Sequence, residues 1–269
     1  MTPNTVLRDS VRLDDACTPP LLVSPDLLLG LAAGDRPVTV PDRTDHVLVA
    51  TGAGGGTTTV LRSLAAQALA RGAQADILDL THAEHTWARE IPGARHLNDV
   101  AEVHDYLMIA AGGLRNDRQE SSDGWGGRRV LVIEELAGLV EALRAYWLLT
   151  RPETQLQEAP AVEALALLLA SGRVCGWTIL AGDTGGSLPG PGAVSPREFS
   201  TRILGYGSSL LWRRLAPGVP APEPSARIGR FHVIEGGAAT PFQALYLTSA
   251  EARAFALAGS GVTNGRGCA

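Results

Sequence analysis

The 269-residue chain contains no lysine, and all 23 of its basic residues are arginine. This absence excludes every mechanism that needs a lysine side chain, such as a Schiff base or a Tyr-x-x-x-Lys dehydrogenase pair. It also excludes the lysine that binds nucleotide phosphates in many glycine-rich loops. A phosphate site in this chain must therefore use backbone N–H groups, hydroxyl groups or arginine.

Cysteine, long apolar runs and excess basic charge are scarce as well. The three cysteines are odd in number and far apart, which argues against a disulfide scaffold and for a reducing compartment. No apolar run approaches the roughly 18 residues of a membrane helix, and residues 1–15 lack the apolar core of a signal peptide. The net charge of −5 gives no overall basic field for nucleic acid. We therefore expect a cytoplasmic protein without a membrane span.

The apolar residues that are present, 45% of the chain, are enough for a core and alternate between two patterns. Short continuous apolar runs alternate with helical stripes, which predicts an α/β protein with a parallel sheet. Strands are predicted near 46–50, 75–80, 130–135, 175–181, 201–206, 209–214, 230–235 and 242–248. Helices are predicted after residue 56, over 100–114, 137–149 and 160–171, and from an N-cap at Ser249; polar loops are predicted over 115–129 and 182–196.

A glycine loop, Thr51-Gly-Ala-Gly-Gly-Gly56, joins the first of these strands to a helix. The N-terminus of a helix carries partial positive charge, and glycines let the backbone wrap a phosphate. Against the motif G-x-x-x-x-G-K-[ST], the best register places Gly56 at the last glycine, Thr57 at the lysine and Thr58 at the hydroxyl that binds Mg²⁺. The first glycine position falls on Thr51, so two fixed positions differ from the motif.

The same loop also resembles the Thr-Gly-x-x-x-Gly-x-Gly opening of short-chain dehydrogenases, with Thr58 in place of the last glycine. In that interpretation Asp79, at the end of the second strand, would hold the ribose of a dinucleotide. A third interpretation is a glycine-rich turn that binds no ligand. The loop alone matches the first two interpretations about equally well.

The downstream sequence favours the first interpretation. A short-chain dehydrogenase requires a Tyr-x-x-x-Lys pair, which a chain without lysine does not have. The segment Val130-Leu-Val-Ile-Glu-Glu135 is four apolar residues followed by two acids, which is the Walker B pattern with Glu134 where aspartate is usual. In that chemistry Glu134 would hold Mg²⁺ and its water, and Glu135 would orient the attacking water.

Several segments together resemble the FtsK/SpoIIIE-type P-loop ATPases, especially the FtsK-like proteins of actinomycete chromosomes and plasmids. The resemblance covers about residues 44–257 and implies a RecA-like α/β P-loop NTPase fold, with a mostly parallel central sheet flanked by helices. It is carried by residues 46–69, 75–96, 129–137, 142–147, 172–181, 199–203 and 229–230.

The resemblance also implies an organisation, ligands and partners. Residues 1–43 would be a lead-in segment, 44–258 the ATPase domain and 259–269 a flexible C-terminal tail. The expected ligands are ATP and Mg²⁺. The expected partners are double-stranded DNA and either further copies in a hexameric ring or an active FtsK-like motor. The alternatives are a dinucleotide-binding protein without catalysis and a purely structural pseudo-ATPase partner.

The site residues follow from aligning the chain with the family's motifs. The nucleotide-binding residues would be Gly54, Gly55, Gly56, Thr57, Thr58, Thr59 and Asp183. Asp183 takes the place of the glutamine that senses the γ-phosphate in the family, and the missing lysine removes a cation from the β- and γ-phosphates. Arg202 is the first candidate for a replacement cation. We therefore expect weak nucleotide binding and hydrolysis that is slow or absent.

Three polar side chains, His82, Glu84 and His85, lie close together just after the second strand. Three or four convergent ligands are needed for a zinc site, and this group with no nearby cysteine falls short. We therefore interpret the histidines as loop residues that face solvent.

Overall fold

The computed structural model describes residues 6–42, 46–52, 54–120, 128–151, 158–183, 194–205, 209–223, 225 and 227–263, and for 115–120 and 260–263 the backbone alone. The helices in these ranges are α1 (Thr18–Leu22), α2 (Thr57–Ala70), α3 (Val100–Glu120), α4 (Leu136–Thr150), α5 (Pro160–Ser171), α6 (Ser209–Leu215) and α7 (Ser249–Thr263). The strands are β1 (Val11–Arg12), β2 (Leu27–Ala32), β3 (Arg36–Val40), β4 (Val47–Ala50), β5 (Gln74–Leu78), β6 (Ala94–Leu97), β7 (Arg129–Ile133), β8 (Trp177–Asp183), β9 (Thr201–Gly205), β10 (Arg230–Glu235) and β11 (Ala238–Tyr246).

The described strands form one sheet in the order β3-β2-β11-β10-β9-β4-β8-β7-β5-β6, and β1 pairs with β11. The pairs from β9 through β4, β8, β7 and β5 to β6 are all parallel. The predicted fold class, a mostly parallel central sheet flanked by helices, is therefore confirmed.

The strand before the glycine loop, β4, does not lie next to β5, which follows it in the chain. Strands β8 and β7 separate the two. A dinucleotide fold places its first two strands side by side, so this order differs from that of the short-chain dehydrogenases. The order also brings the carboxyl ends of β4, β8 and β7 together at one edge of the sheet.

Residues of the lead-in segment extend the sheet on its antiparallel side. Strand β2 pairs with β11, and β3 pairs with β2. All six residues of β2 are buried, because both faces of this strand are covered. The apolar stretch at 21–33 thus supplies a core strand of the sheet that carries the glycine loop.

The core has two layers, one on each face of the sheet. Helices α3, α4, α5 and α6 pack on one face, and α2 and α7 pack on the other. Strand β4 contributes to both layers, since Leu48 and Ala50 face the first and Val47 and Val49 the second. This burial on both faces explains why β4 is a continuous apolar run.

The prediction of a strand over 209–214 is wrong, because these residues form most of α6. The buried side chains are Leu211, Trp212 and Leu215, which have helical spacing, whereas Leu210 is exposed. The apolar run, Leu210–Trp212, is too short to distinguish a strand from a helix by periodicity.

The ends of two other elements differ from the predicted ones. Helix α3 continues to Glu120 into the predicted loop 115–129, and β8 continues through Asp183 into the predicted loop 182–196. Residues 121–127 and 184–193 lie outside the described residues. Helix α7 begins at Ser249 as predicted, but its cap is Thr248, whose hydroxyl accepts from the Glu251 N–H while the Glu251 carboxylate accepts from the Thr248 N–H.

The C-terminal helix extends into the predicted tail. Residues 259–263 belong to α7, and residues 264–269 lie outside the described residues. No helix in the part of the chain that the structure describes is long and apolar enough to cross a bilayer.

The packing of α7 on α2 depends on Gly259. A Cβ at this position would lie 2.0 Å from the Ala70 carbonyl oxygen, so Gly259→Ala should push the two helices apart and lower the free energy of unfolding by about 1–3 kcal/mol.

Gly112→Ala in α3 is the matched control, because a Cβ there meets nothing within 4 Å. Better helix propensity should leave that variant neutral or about 0.5–1 kcal/mol more stable. Urea unfolding of both variants checks the contrast, and equal effects would contradict the assigned packing.

Candidate functional site

The glycine loop lies where β4 ends, beside the ends of β8 and β9. The Thr51 N–H donates to the Asp183 carbonyl oxygen at 3.1 Å, which fixes the start of the loop to β8. Gly54 and Gly56 have φ values of 72° and 101°, a left-handed conformation that residues with a Cβ rarely adopt. The glycines at these two positions therefore permit the sharp turn from strand to helix.

The N-terminus of α2 has no side-chain cap from its own N-cap residue. That residue is Gly56, and the first intrahelical bond runs from the Val60 N–H to the Gly56 carbonyl oxygen at 3.1 Å. The N–H groups of Thr57, Thr58 and Thr59 precede that bond and have no acceptor within the helix. Together with the helix dipole, they form an environment that favours an anion.

The structure brings Thr58 and Glu134 together. The Thr58 hydroxyl donates to Glu134 Oε1, and Glu134 is only 4% exposed at the end of β7. A hydroxyl and a carboxylate at a helix N-terminus are ligands that Mg²⁺ accepts while it keeps several waters. The donor set therefore fits the metal that the sequence predicts. The described residues contain no group of three or more His, Cys, Asp or Glu that could hold a metal ion, so waters and phosphate oxygens would complete the coordination.

The two positions that differ from the phosphate-binding motif contact each other. The hydroxyls of Thr51 and Thr57 are 2.6 Å apart, and Thr57 is 2% exposed. The Thr51 side chain lies inside the curve of the loop, because a Cβ on Gly55 would be 2.7 Å from Thr51 Oγ1. A second turn closes the loop, where the Gly55 N–H donates to the Gly52 carbonyl oxygen at 2.9 Å. The lysine position thus holds a neutral hydroxyl bonded to the residue that replaces the first glycine.

Gly182 allows the close approach of these groups, and sequence analysis missed its role. A Cβ at Gly182 would lie 2.3 Å from the Glu134 carbonyl oxygen and 2.6 Å from Thr57 Cγ2. A larger residue in β8 would therefore separate the helix from the end of β7. The signal in the sequence is a glycine inside an otherwise apolar buried strand.

The remaining predicted site residues lie in three different environments. The Glu135 carboxylate accepts the Gly138 N–H and caps α4. Asp183 is fully buried at the end of β8, next to the start of the loop. Arg202 is the second residue of β9, opposite Leu48, and its guanidinium donates to the Leu215 carbonyl oxygen at 2.8 Å. The structure therefore does not bring Arg202 to the loop within this chain.

A buried histidine completes the cluster, contrary to the prediction that it faces solvent. His85 is fully buried, and its Nε2 lies 2.6 Å from Glu134 Oε2. The Trp87 indole N–H donates to His85 Nδ1 at 3.2 Å. His82 and Glu84 are exposed, as expected of loop residues. Sequence analysis missed His85 because only the fold brings residue 85 to residue 134.

Asp79 organises the segment that carries His85. Its carboxylate accepts the backbone N–H groups of Thr81, Glu84 and His85 and the hydroxyl of Thr81, and it contacts His96 Nε2 at 3.3 Å. Burial raises the pKa of this carboxyl, but the hydrogen bonds outweigh burial and lower the pKa below its ordinary value. The residue that the dinucleotide interpretation assigned to a ribose is thus bonded within its own loop.

A second feature that sequence analysis missed is a partly buried cation on α2. Arg62 lies one turn after Thr58, donates to the Leu247 carbonyl oxygen at 3.0 Å and contacts Thr59 Oγ1 at 3.4 Å. Burial lowers the pKa of its guanidinium, and the nearby Glu134 and Glu84 partly offset that effect. Arg62 therefore brings positive charge beside the first turn of the helix.

Two small cavities flank the loop. One, of about 150 Å³, is mainly apolar and lies between Gly56, Thr59, Phe231 and Leu245. The other, also of about 150 Å³, lies between Gly54, Gly55, Gly205 and Arg230. A larger cavity of about 710 Å³ near Arg71 and Asp42 shares no lining residue with the loop.

Comparison with solved structures places this geometry among known folds. The conjugation coupling protein TcpA of pCW3, in a monomer form with ATPγS, superposes with a TM-score of 0.73 at 16% identity over 92% of this chain and 72% of that chain. The chain has the fold of the FtsK/SpoIIIE-type P-loop ATPases. The cytoplasmic domain of the type VII secretion ATPase EccC from Thermomonospora curvata gives 0.66 at 14% identity, over 90% of this chain and 28% of that chain. EssC ATPases 2 and 3 from Geobacillus thermodenitrificans give 0.64 at 16% identity, over 84% and 42%.

At 14–16% sequence identity, these superpositions show a shared fold and nothing more. This chain spans less than half of the EccC and EssC chains it matches. No model of a known protein family and no curated protein sequence matches the chain. The superpositions on TcpA, EccC and EssC confirm the P-loop NTPase fold that the sequence resemblance implied.

The hydrogen bonds of Asp79 predict a pH dependence of stability. Because the pKa of this carboxyl is lowered in the folded state, its contribution is present above about pH 4, the ordinary value for aspartate, and is lost as the pH falls through the folded-state value. Asp79→Asn should lower the free energy of unfolding by roughly 2–3 kcal/mol at pH 7, since it leaves buried N–H donors without acceptors. The difference from the parent chain should shrink towards pH 3.

Urea unfolding at pH 7 and at acid pH measures this difference. Asp14→Asn is the control, because the Asp14 side chain is 85% exposed. A pH-independent difference for Asp79→Asn, or an equal effect of both variants, would contradict the role of Asp79.

Proposed function

We propose that this chain is a nucleotide-binding homologue of the FtsK-type DNA translocases with weak or lost ATP hydrolysis. The observation that carries the proposal is the contact between the Thr58 hydroxyl and the Glu134 carboxylate at the N-terminus of α2. These groups belong to two motifs separated by 76 residues, and in the P-loop interpretation they are the two that hold Mg²⁺.

The phosphates of ATP would be held by backbone N–H groups of the loop, from Gly54 to Gly56, and of the first turn of α2, from Thr57 to Thr59. Each hydrogen bond to a charged group contributes roughly 1.5–3 kcal/mol, so these donors support binding without lysine. Thr58 and Glu134 would hold Mg²⁺, which in such sites neutralises charge on the β- and γ-phosphates. Arg62 adds positive charge beside Thr59.

Hydrolysis should be weak because the chain places no cation at the lysine position. Thr57 is neutral, buried and bonded to Thr51. By analogy with an arginine finger, loss of a stabilising cation at this point costs ~10³-fold or more in rate. The Glu135 carboxylate accepts the Gly138 N–H as a helix cap, and the Arg202 guanidinium donates to the Leu215 carbonyl oxygen in α6.

We further propose that the chain acts in an assembly on double-stranded DNA, either as a ring of its own copies or beside an active FtsK-like motor in the cytoplasm. Support comes from the fold shared with the TcpA coupling protein and from the missing cation, which a neighbouring subunit could supply. On this proposal residues 44–258 form the ATPase domain and the lead-in 1–43 supports it through β2 and β3.

A second candidate is a structural partner that keeps the fold and binds no nucleotide. The observation that favours it is the Thr51 side chain, which takes up room inside the loop and bonds Thr57. Nucleotide binding would have to displace this contact or leave it beside the phosphates. The dinucleotide alternative receives no support from the strand order.

Ligand-induced stabilisation separates these candidates. Mg-ATP or Mg-ADP should raise the melting temperature, because a ligand at 100 times its Kd stabilises by about 2.7 kcal/mol, whereas NAD⁺ and NADP⁺ should not. Thr58→Val should abolish the Mg²⁺-dependent part of the shift, and the exposed Thr150→Val should retain it. No shift with any of the four nucleotides would favour the structural partner.

Restoring the motif tests the cause of weak hydrolysis. Thr57→Lys should raise ATP hydrolysis, and Thr51→Gly with Thr57→Lys should raise it further, by at least about tenfold over the parent chain, because the glycine frees room for the lysine. Thr59→Lys places the same charge in the same turn at the wrong position and serves as the control. Phosphate release with and without DNA is the measurement. Activity at background level in the folded double variant would contradict the proposal of a motor that has lost its lysine.

A further inference from the structure

The contact between His85 and Glu134 points to a role that the motifs do not assign. Both side chains are buried, and His85 Nε2 lies 2.6 Å from Glu134 Oε2. The other oxygen of the same carboxylate, Oε1, receives the Thr58 hydroxyl. The two oxygens of Glu134 are thus engaged by different partners from different parts of the chain.

Trp87 determines which nitrogen of His85 carries the proton. An indole N–H only donates, so His85 Nδ1, 3.2 Å from Trp87 Nε1, must accept. The proton of the neutral ring is therefore on Nε2 and is donated to Glu134. The direction of the chain of hydrogen bonds is Trp87 to His85 to Glu134.

The position of the His85 ring is fixed from its backbone side as well. The His85 N–H donates to Asp79 Oδ2 at 3.2 Å, and a 3₁₀ turn over Thr86–Ala88 follows immediately. Trp87 is 4% exposed and belongs to the core layer that α2 and α7 cover. The donor that reaches Glu134 is thus held by buried groups on both sides.

The length of the Glu134 side chain explains why an N–H donor from His85 would help to orient its carboxylate. The motif has aspartate here, and glutamate is longer by one methylene group with one more rotatable bond. A longer carboxylate samples more positions, and ordering it costs conformational free energy. A fixed N–H donor on one oxygen restricts it and leaves the other oxygen directed to Thr58.

We propose that His85 is a positioning residue that holds the Glu134 carboxylate in the orientation needed for Mg²⁺ at Thr58. The inference rests on the proposed nucleotide-binding function and adds to it a residue outside the glycine loop and the strand with the two acids. Outer partners of metal ligands orient those ligands, and their loss typically weakens metal affinity by about 10- to 100-fold.

The Mg²⁺ requirement of nucleotide binding tests this role. We expect His85→Asn, which is too short to reach the carboxylate, to raise the Mg²⁺ concentration for half-maximal binding of a fluorescent ADP analogue by about tenfold or more. Binding of the analogue in EDTA should stay unchanged, since the backbone N–H groups are untouched. His85→Gln keeps an N–H donor near the position of Nε2 and should recover most of the Mg²⁺ affinity.

His82→Asn is the matched control, because it makes the same substitution at an exposed histidine of the same loop. It should bind like the parent chain with and without Mg²⁺. Trp87→Phe gives a second test that leaves His85 and Glu134 in place and serves if His85→Asn does not fold. Without the indole donor the ring can adopt the other tautomer, so the Mg²⁺ requirement should rise, by less than in His85→Asn. Nitrogen NMR of the histidine rings should show His85 protonated at Nε2 in the parent chain.

The outcomes separate the inference from the function on which it rests. If the parent chain binds no nucleotide, the proposed function fails and the metal role of His85 fails with it. If the parent chain binds with a Mg²⁺ requirement that His85→Asn and Trp87→Phe leave unchanged, only the role of His85 is overturned. Equal losses with Mg²⁺ and in EDTA would also overturn it, because they would indicate general damage to the fold.

Discussion

The hydrogen bond from Thr58 to Glu134 connects the two halves of the candidate site. Thr58 follows a loop at the end of β4, and Glu134 follows β7, with β8 lying between the two strands. The contact requires this strand order, and it also requires Gly182 in β8, where a Cβ would meet both Thr57 and Glu134. The site thus depends on the order of the strands in the sheet as well as on the residues that form it.

The absence of lysine has a local structural counterpart. Thr57 at the lysine position and Thr51 at the first glycine position form a hydrogen-bonded pair inside the loop. Two neutral hydroxyls that satisfy each other carry little cost of burial, whereas an unpaired polar group would be costly. The loop therefore has a stable conformation without a lysine. In this conformation a phosphate would meet the N–H groups of α2 and no charged side chain at position 57.

The fold and the main site residues could be predicted to different extents from the sequence. Apolar runs identified β4, β7 and β8, since strands buried on both faces have this pattern, and the acids at 134 and 135 marked the end of β7. The sequence did not reveal that α6 is a helix, because a short apolar run fits both patterns. It could not reveal the His85–Glu134 contact or the Thr51–Thr57 pair, because both depend on how the loops fold in space. The motifs also assign catalytic roles to Glu135 and Arg202, but they could not reveal the hydrogen bonds that these side chains make to α4 and α6.

A crystal structure grown with Mg²⁺ and a non-hydrolysable ATP analogue shows whether the glycine loop binds phosphate. We expect phosphate density against the N–H groups of Thr57, Thr58 and Thr59, and a metal ion bound at the Thr58 hydroxyl and the Glu134 carboxylate. An empty loop at saturating analogue, with the Thr51–Thr57 and Thr58–Glu134 contacts unchanged, would contradict this expectation.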